Sequence, residues 1–151
     1  MTTVQTHLPD PYSTPATAPK TVCLRNGVSV QVRSVHVDDR ASVLAFLTEL
    51  SAPAQRMRFF TAAADLTTAA SWAAGADGRN HLGLLALDDS GKIIGHAACC
   101  RVYGHRAEVA VEISDHACHQ GLATLLIAEL ARRAEAMGIR GFIAEVLPEN
   151  H

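Results

Sequence analysis

The chain has 151 residues, of which 48% are hydrophobic and 19% charged, with a formal charge of −2. A domain of this length buries about 70% of the surface its unfolded form exposes, so it needs no disulfide or metal staple to fold. The near-neutral charge excludes a global basic field for nucleic acid, and no apolar run is long enough for a signal segment or a membrane span. Cys23, Cys99, Cys100 and Cys118 lack the spacing of a disulfide framework, so a cytoplasmic location is expected.

Residues 1–20 hold four prolines and no apolar period, and read as a flexible leader to a domain over 21–151. From Thr21 the pattern alternates apolar and polar on both sides of Asn26-Gly27, a dipeptide that favours a two-residue hairpin turn. Asp38 or Asp39 is placed to cap a helix through Leu50 with Val43, Leu44, Leu47 and Leu50 on one face, and a shorter helical piece follows Pro53. Another helix is expected between Asp65 and Gly75. His81–Leu87 and Lys92–Tyr103 read as strands joined by the turn Asp88-Asp89-Ser90-Gly91, and Arg106–Ser114 as a third. Leu122, Leu125, Leu126, Leu130, Ala134 and Met137 then recur at helical spacing, with Gly138 placed to end the helix. Gly141–Leu147 is a final short strand. This order predicts an α/β (α+β) fold with a mixed, mainly antiparallel sheet, flanking helices and a crossover helix before the last strand.

The stretch HACHQGLATLL, His116 to Leu126, admits two chemistries. His116, Cys118 and His119 could ligate a metal, but tetrahedral sites draw on two separated ligand pairs, and no second pair stands at a recognisable spacing; no metal is expected. Alternatively, a strand, a turn, Gly121 and a helix in succession present free backbone N–H groups at a helix N-terminus, where the macrodipole favours an anion such as a pyrophosphate. Small Ala123 and Thr124 leave the first turn open, and the Thr124 hydroxyl is a further donor.

The segment AEVAVEISDHACHQGLATLLIAELARRAEAMGIRGFIAEVLPEN resembles the acyl-CoA-binding core of the GCN5-related N-acetyltransferase (GNAT) superfamily, particularly its bacterial protein lysine acetyltransferase subgroup. LRNGVSVQVRSVHVDDRASVLAFLTELS, QRMRFF and LALDDSGKIIGHAA resemble that subgroup's first strands and helix, its arginine-and-phenylalanine segment and its central hairpin, in matching order. The resemblance implies a twisted GNAT-like sheet and an acetyl-CoA-dependent N-acetyltransferase in which an amine, a protein lysine or a small amine, attacks the acetyl carbonyl directly. It also implies site residues. Glu108 matches the general-base carboxylate, Val111 and Ile113 the strand beside the pantetheine, Cys118, His119, Gln120, Gly121, Leu122, Ala123 and Thr124 the pyrophosphate loop, and Asn150 an asparagine facing the cofactor arm. The bland alternatives are that Glu108 and Glu112, which alternation puts on one face with Ala110 and Ser114, are ordinary solvated strand residues. Arg56, Arg58, Phe59 and Phe60 are expected to pack rather than to touch substrate.

Two departures from the family pattern stand out. Cys118 occupies the loop's first place, where glutamine or arginine is usual, and His119 and Gln120 stand where glycine and arginine are common; a missing arginine removes a charge-assisted phosphate contact. Another alignment reads His119-Gln120-Gly121 as the loop entry with two residues lost. Family members also continue past Asn150 into a helix and closing strands that often bring a tyrosine acid. The only tyrosines here are Tyr12 and Tyr103. The expectation is a domain incomplete at its C-terminus, with a sheet edge open to a second copy. A non-catalytic acyl-CoA-binding module is the competing function.

Overall fold

The computed structural model describes residues 19–51 and 65–144. The helical piece after Pro53, the segment Arg56–Phe60, the end of the last strand and Asn150 lie outside the described residues. Six strands form one sheet in sequential order: β1 (Lys20–Cys23), β2 (Ser29–Ser34), β3 (His81–Leu87), β4 (Ile93–Tyr103), β5 (Arg106–Ile113) and β6 (Gly141–Ile143). All neighbours run antiparallel except β5 and β6, which are parallel. A parallel pair cannot be closed by a hairpin, and α3 (Leu122–Glu135) supplies the crossover. Helices α1 (Arg40–Glu49) and α2 (Leu66–Ala74) complete the described elements.

Every residue of β3 is buried because helices cover both faces of the sheet. Leu82, Leu84 and Ala86 pack with Leu122, Leu126 and Leu130 of α3, whereas Leu85 and Leu87 pack with Val43, Phe46 and Leu47 of α1 and Ala70 of α2. Period-2 alternation of the strand thus serves two cores. Gly95 in β4 sets how closely α3 sits: a Cβ there would come within 3.1 Å of Leu126 Cδ1 and 3.2 Å of Leu122 Cδ2.

Local turns differ from the sequence expectation in two places. The β1–β2 loop is Arg25-Asn26-Gly27, three residues between the Leu24 N–H···O=C Val28 bond of 2.9 Å and its flanking strands, with a Gly27 N–H bond to Leu24 O. Only Gly27 takes positive φ, at 84°, whereas the expected two-residue turn would also require it of Asn26. At α1, neither aspartate side chain caps the helix. Residues Val37–Asp39 form a 3₁₀ turn capped by His36 Nδ1, and the Asp39 carboxylate takes two 2.8 Å bonds from Arg33 and a 2.7 Å bond from the His36 N–H. The Arg33 side chain holds the Asp39 carboxyl below its ordinary range.

At α2 the expected boundaries stand: Asp65 accepts from Thr68 N–H at 3.1 Å, and Gly75 ends the helix. Helix α3 stops at Glu135 rather than Met137, and a tightened turn brings Gly138 to φ 79°. Arg101 Nη2 donates to Met137 O at 2.6 Å and His105 Nδ1 lies 2.9 Å from Gly138 O, which fastens that end of α3 to β4 and to the β4–β5 turn. The opposite end points at the loop that carries the chemistry.

Candidate active site

β5 leads from Glu108 to this loop. Its parallel pairing with β6 runs through Arg106↔Gly141, Ala107↔Phe142 and Glu108↔Ile143, and among the described residues it stops there. Glu108 therefore lies opposite Ile143, the last residue of β6. Val109, Val111 and Ile113 pack against the α3-side core, so Glu108, Ala110 and Glu112 project to the opposite face, that of α1 and α2.

Those two carboxylates are not alike. Glu108 is exposed. It lies opposite Cys100, which in turn lies opposite His81, forming a row across three strands. His81 stacks on Trp72 with ring centroids 4.0 Å apart, and burial pushes its pKa down. Glu112, in contrast, is not a solvated strand residue: its side chain is only 3% exposed, and Oε2 sits 2.8 Å from His96 Nδ1. Alternation identified the face correctly, but on that face Glu112 is buried and Glu108 is exposed.

Beyond Ile113 the chain makes a 3₁₀ turn, Asp115–Ala117, and enters α3. Cys118 Sγ donates to Ser114 O at 3.4 Å and lies 3.9 Å from Ile113 O, tying the turn to the end of β5. Burial, and secondarily Asp115, pushes the thiol's pKa up. His119 is the one non-glycine residue with positive φ among the described residues, at 64°, and Gly121 follows at 83°. His119 thus holds, with a Cβ, a backbone conformation that glycine adopts more readily. Gly121 is the N-cap of α3 and offers no side-chain cap, and the first turn holds no acidic residue. Leu122 buries its side chain in the core, so only its backbone faces the loop; Ala123 is half-buried and Thr124 exposed. No group of three or more His, Cys, Asp or Glu side chains gathers for a metal among the described residues.

Sequence reasoning missed one neighbour of this loop. Arg25, in the β1–β2 turn, donates its backbone N–H to Gln120 O at 3.5 Å, and its side chain lies over Gly121: a Cβ built on that glycine would come within 3.3 Å of Arg25 Nε. The only hint in the sequence is negative. Between Arg106 and Arg132 the chain has no lysine or arginine, so any cation at the loop must come from elsewhere.

The exposed Glu108 carboxylate on β5 and the uncapped N-terminus of α3 beyond the following turn are the features from which the candidate site is built. Residues 44–151 match the acetyltransferase (GNAT) family, and the chain belongs to it. The GNAT domain of S. lividans PAT is similar in structure, with TM-score 0.84 and 29% identity over 91% of this chain and 84% of that one. A cAMP-binding acyltransferase from Mycobacterium smegmatis shares the fold at TM-score 0.61 and 22% identity, covering 87% of this chain and 39% of that longer one. So does a ribosomal-protein-alanine N-acetyltransferase from Brucella melitensis biovar Abortus 2308, at TM-score 0.61 and 16% identity over 80% and 83%. Comparison with curated proteins returned no match. No helix among the described residues is long and apolar enough to cross a membrane.

Proposed function

We propose that the chain transfers an acetyl group from acetyl-CoA to an amine, with the ε-amino group of a protein lysine as the acceptor. The observation that carries this reading is the succession of an exposed carboxylate, Glu108, on β5, a loop with His119 and Gly121 at positive φ, and the uncapped N-terminus of α3. Family membership supplies the cosubstrate. The similarity to the GNAT domain of S. lividans PAT, at 29% identity, supports the acetyltransferase reading.

In this reading the pyrophosphate lies against the loop from Cys118 to Thr124. His119 and Gly121 hold the backbone in the left-handed region so that the uncapped N–H groups of α3's first turn face outward. Val111 and Ile113 run beside the pantetheine, and Asn150 is assigned to the same arm from the family pattern alone. Bound acetyl-CoA supplies the activated carbonyl. Glu108 does the proton chemistry: it accepts a proton from the acceptor ammonium, which leaves a neutral amine able to attack; the acetyl C–S bond breaks as the C–N bond is made, and coenzyme A leaves as a thiolate that takes up the proton shed by the new amide nitrogen. Glu108 is open to solvent on the side away from α3, so a bulky acceptor such as a peptide side chain has access.

Calorimetric titration with acetyl-CoA and thiol release in the presence of lysine-bearing peptides test this. Glu108→Gln is expected to keep cosubstrate affinity within about twofold and to cut turnover by about 100-fold or more. Binding that persists with no turnover on any amine would instead identify an acyl-CoA-binding module.

A further inference from the structure

We infer that Arg25, reaching across from the β1–β2 turn, supplies the cationic contact to the pyrophosphate of coenzyme A that the loop itself lacks; this rests on the acetyl-CoA reading above. Three observations converge on it. First, the loop and the start of α3 contain no lysine or arginine, and Gln120 immediately before Gly121 is uncharged. Second, the Arg25 side chain sits against Gly121, with Nε, Cζ and Nη2 at 3.3, 3.7 and 3.8 Å from the position of a Cβ on that residue. Its place is fixed by the backbone: the three-residue turn is closed by the Leu24–Gly27 bond and docked on the loop by the Arg25–Gln120 bond.

The third observation is electrostatic. A helix N-terminus carries about half a positive charge, so a guanidinium laid beside it is repelled unless an anion joins them. No carboxylate among the described residues forms an ion pair with Arg25, and α3 has no acid in its first turn. By comparison, Arg33, Arg132 and Arg133 all have carboxylate partners. An exposed cation beside uncapped N–H donors makes a two-sided clamp for a dianion, with planar bidentate donors on one side and backbone donors on the other. Glycine at 121 therefore has two functions: it takes φ 83°, and it leaves room for the guanidinium.

Titration calorimetry of the full chain and its Arg25→Gln and Arg25→Lys variants with coenzyme A and with dephospho-coenzyme A tests the assignment. Losing one charge-assisted phosphate contact should weaken coenzyme A by about tenfold to 100-fold in Arg25→Gln and less in Arg25→Lys. The loss should be the same for dephospho-coenzyme A, which keeps the pyrophosphate, and the variant's affinity should depend less on salt. Arg25 is exposed and its fixed contact is through the backbone, so an unchanged melting temperature is expected. Equal affinity of Arg25→Gln and the unaltered chain overturns the assignment, as does a loss confined to coenzyme A, which would place the contact on the 3′-phosphate. No binding by the unaltered chain overturns the acetyl-CoA reading itself.

Discussion

His96 and Glu112 form a buried pair across β4 and β5, their side chains 2% and 3% exposed and their nearest atoms 2.8 Å apart, in register at the centre of the sheet. His96 Nε2 is buried with no hydrogen-bond partner, so the imidazole's polar contact is made through Nδ1 alone. Removing Glu112 leaves the buried His96 ring with neither nitrogen bonded, and removing His96 takes one partner from a buried carboxylate; breaking a buried pair costs about 3 kcal/mol or more, whereas an apolar pair of similar volume is often neutral. Glu112→Ala and His96→Ala should each lose about 3 kcal/mol in urea unfolding. The double variant His96→Leu with Glu112→Leu should recover most of that loss. If the single variants lose less than 1 kcal/mol, the pair contributes nothing to the sheet.

Much of the fold can be read from the chain, and the exceptions share a cause. Boundaries at β3 and α2 were legible because they depend on local chemistry: a two-face apolar strand, an Asp65 cap and a glycine after the helix. The β1–β2 loop length was not, because Asn26-Gly27 signals a turn while the register Cys23↔Ser29 sets how many residues it holds. Glu112 was placed on the correct face, but the solvated alternative fails for it, because alternation separates a strand's faces and does not tell which part of a face other elements cover. A lone histidine in the apolar run Ile93–Cys100 was the clue that a buried polar partner was needed. At the site, the loop was visible and Arg25 was not, since it reaches Gly121 only through the tertiary fold.

Glu129 predicts an acid-sensitive α3. Its carboxyl accepts from Arg132 at 2.6 Å and Arg133 at 3.0 Å, with Lys20 at 3.8 Å, and its pKa falls from 4.5 to about 2, chiefly through the Arg132 bond. The side chain is 8% exposed, but Arg132 is open to solvent and screened, so the contribution to stability is about 2 kcal/mol rather than the full value of the shift. Because the folded-state pKa is the lower one, that stability is complete above pH 4.5 and is lost as pH falls toward 2. Urea unfolding of Glu129→Gln and the unaltered chain should differ most at pH 6–7 and converge near pH 2.

Cysteine reactivity should follow burial. Cys99 is fully buried in β4, and desolvation pushes its pKa up to about 11, whereas Cys23 is exposed. Alkylation at neutral pH followed by peptide mass mapping should label Cys23 first and leave Cys99 unlabelled until the chain unfolds. Saturating acetyl-CoA should slow labelling of Cys118 and leave Cys23 unchanged, because only Cys118 lies in the proposed cradle. Protection of both would mean that the whole domain tightens rather than that the loop is covered.

Two neighbouring positions in the loop should respond to substitution with opposite signs. His119 holds φ 64° with a Cβ, a conformation that costs an L-residue about 1 kcal/mol, so His119→Gly should relieve strain and, after the extra chain entropy of glycine, change stability by less than about 1 kcal/mol in the favourable direction. Gly121→Ala imposes the same backbone penalty at φ 83° and drives a methyl group to 3.3 Å from Arg25 Nε, so it should lose about 1–2 kcal/mol. Coenzyme A separates the two further. His119→Gly keeps every backbone donor of the loop and should bind as the unaltered chain does, whereas Gly121→Ala displaces the guanidinium and should lose affinity in the same proportion as Arg25→Gln. If Gly121→Ala is destabilised but binds normally, Gly121 serves the turn alone.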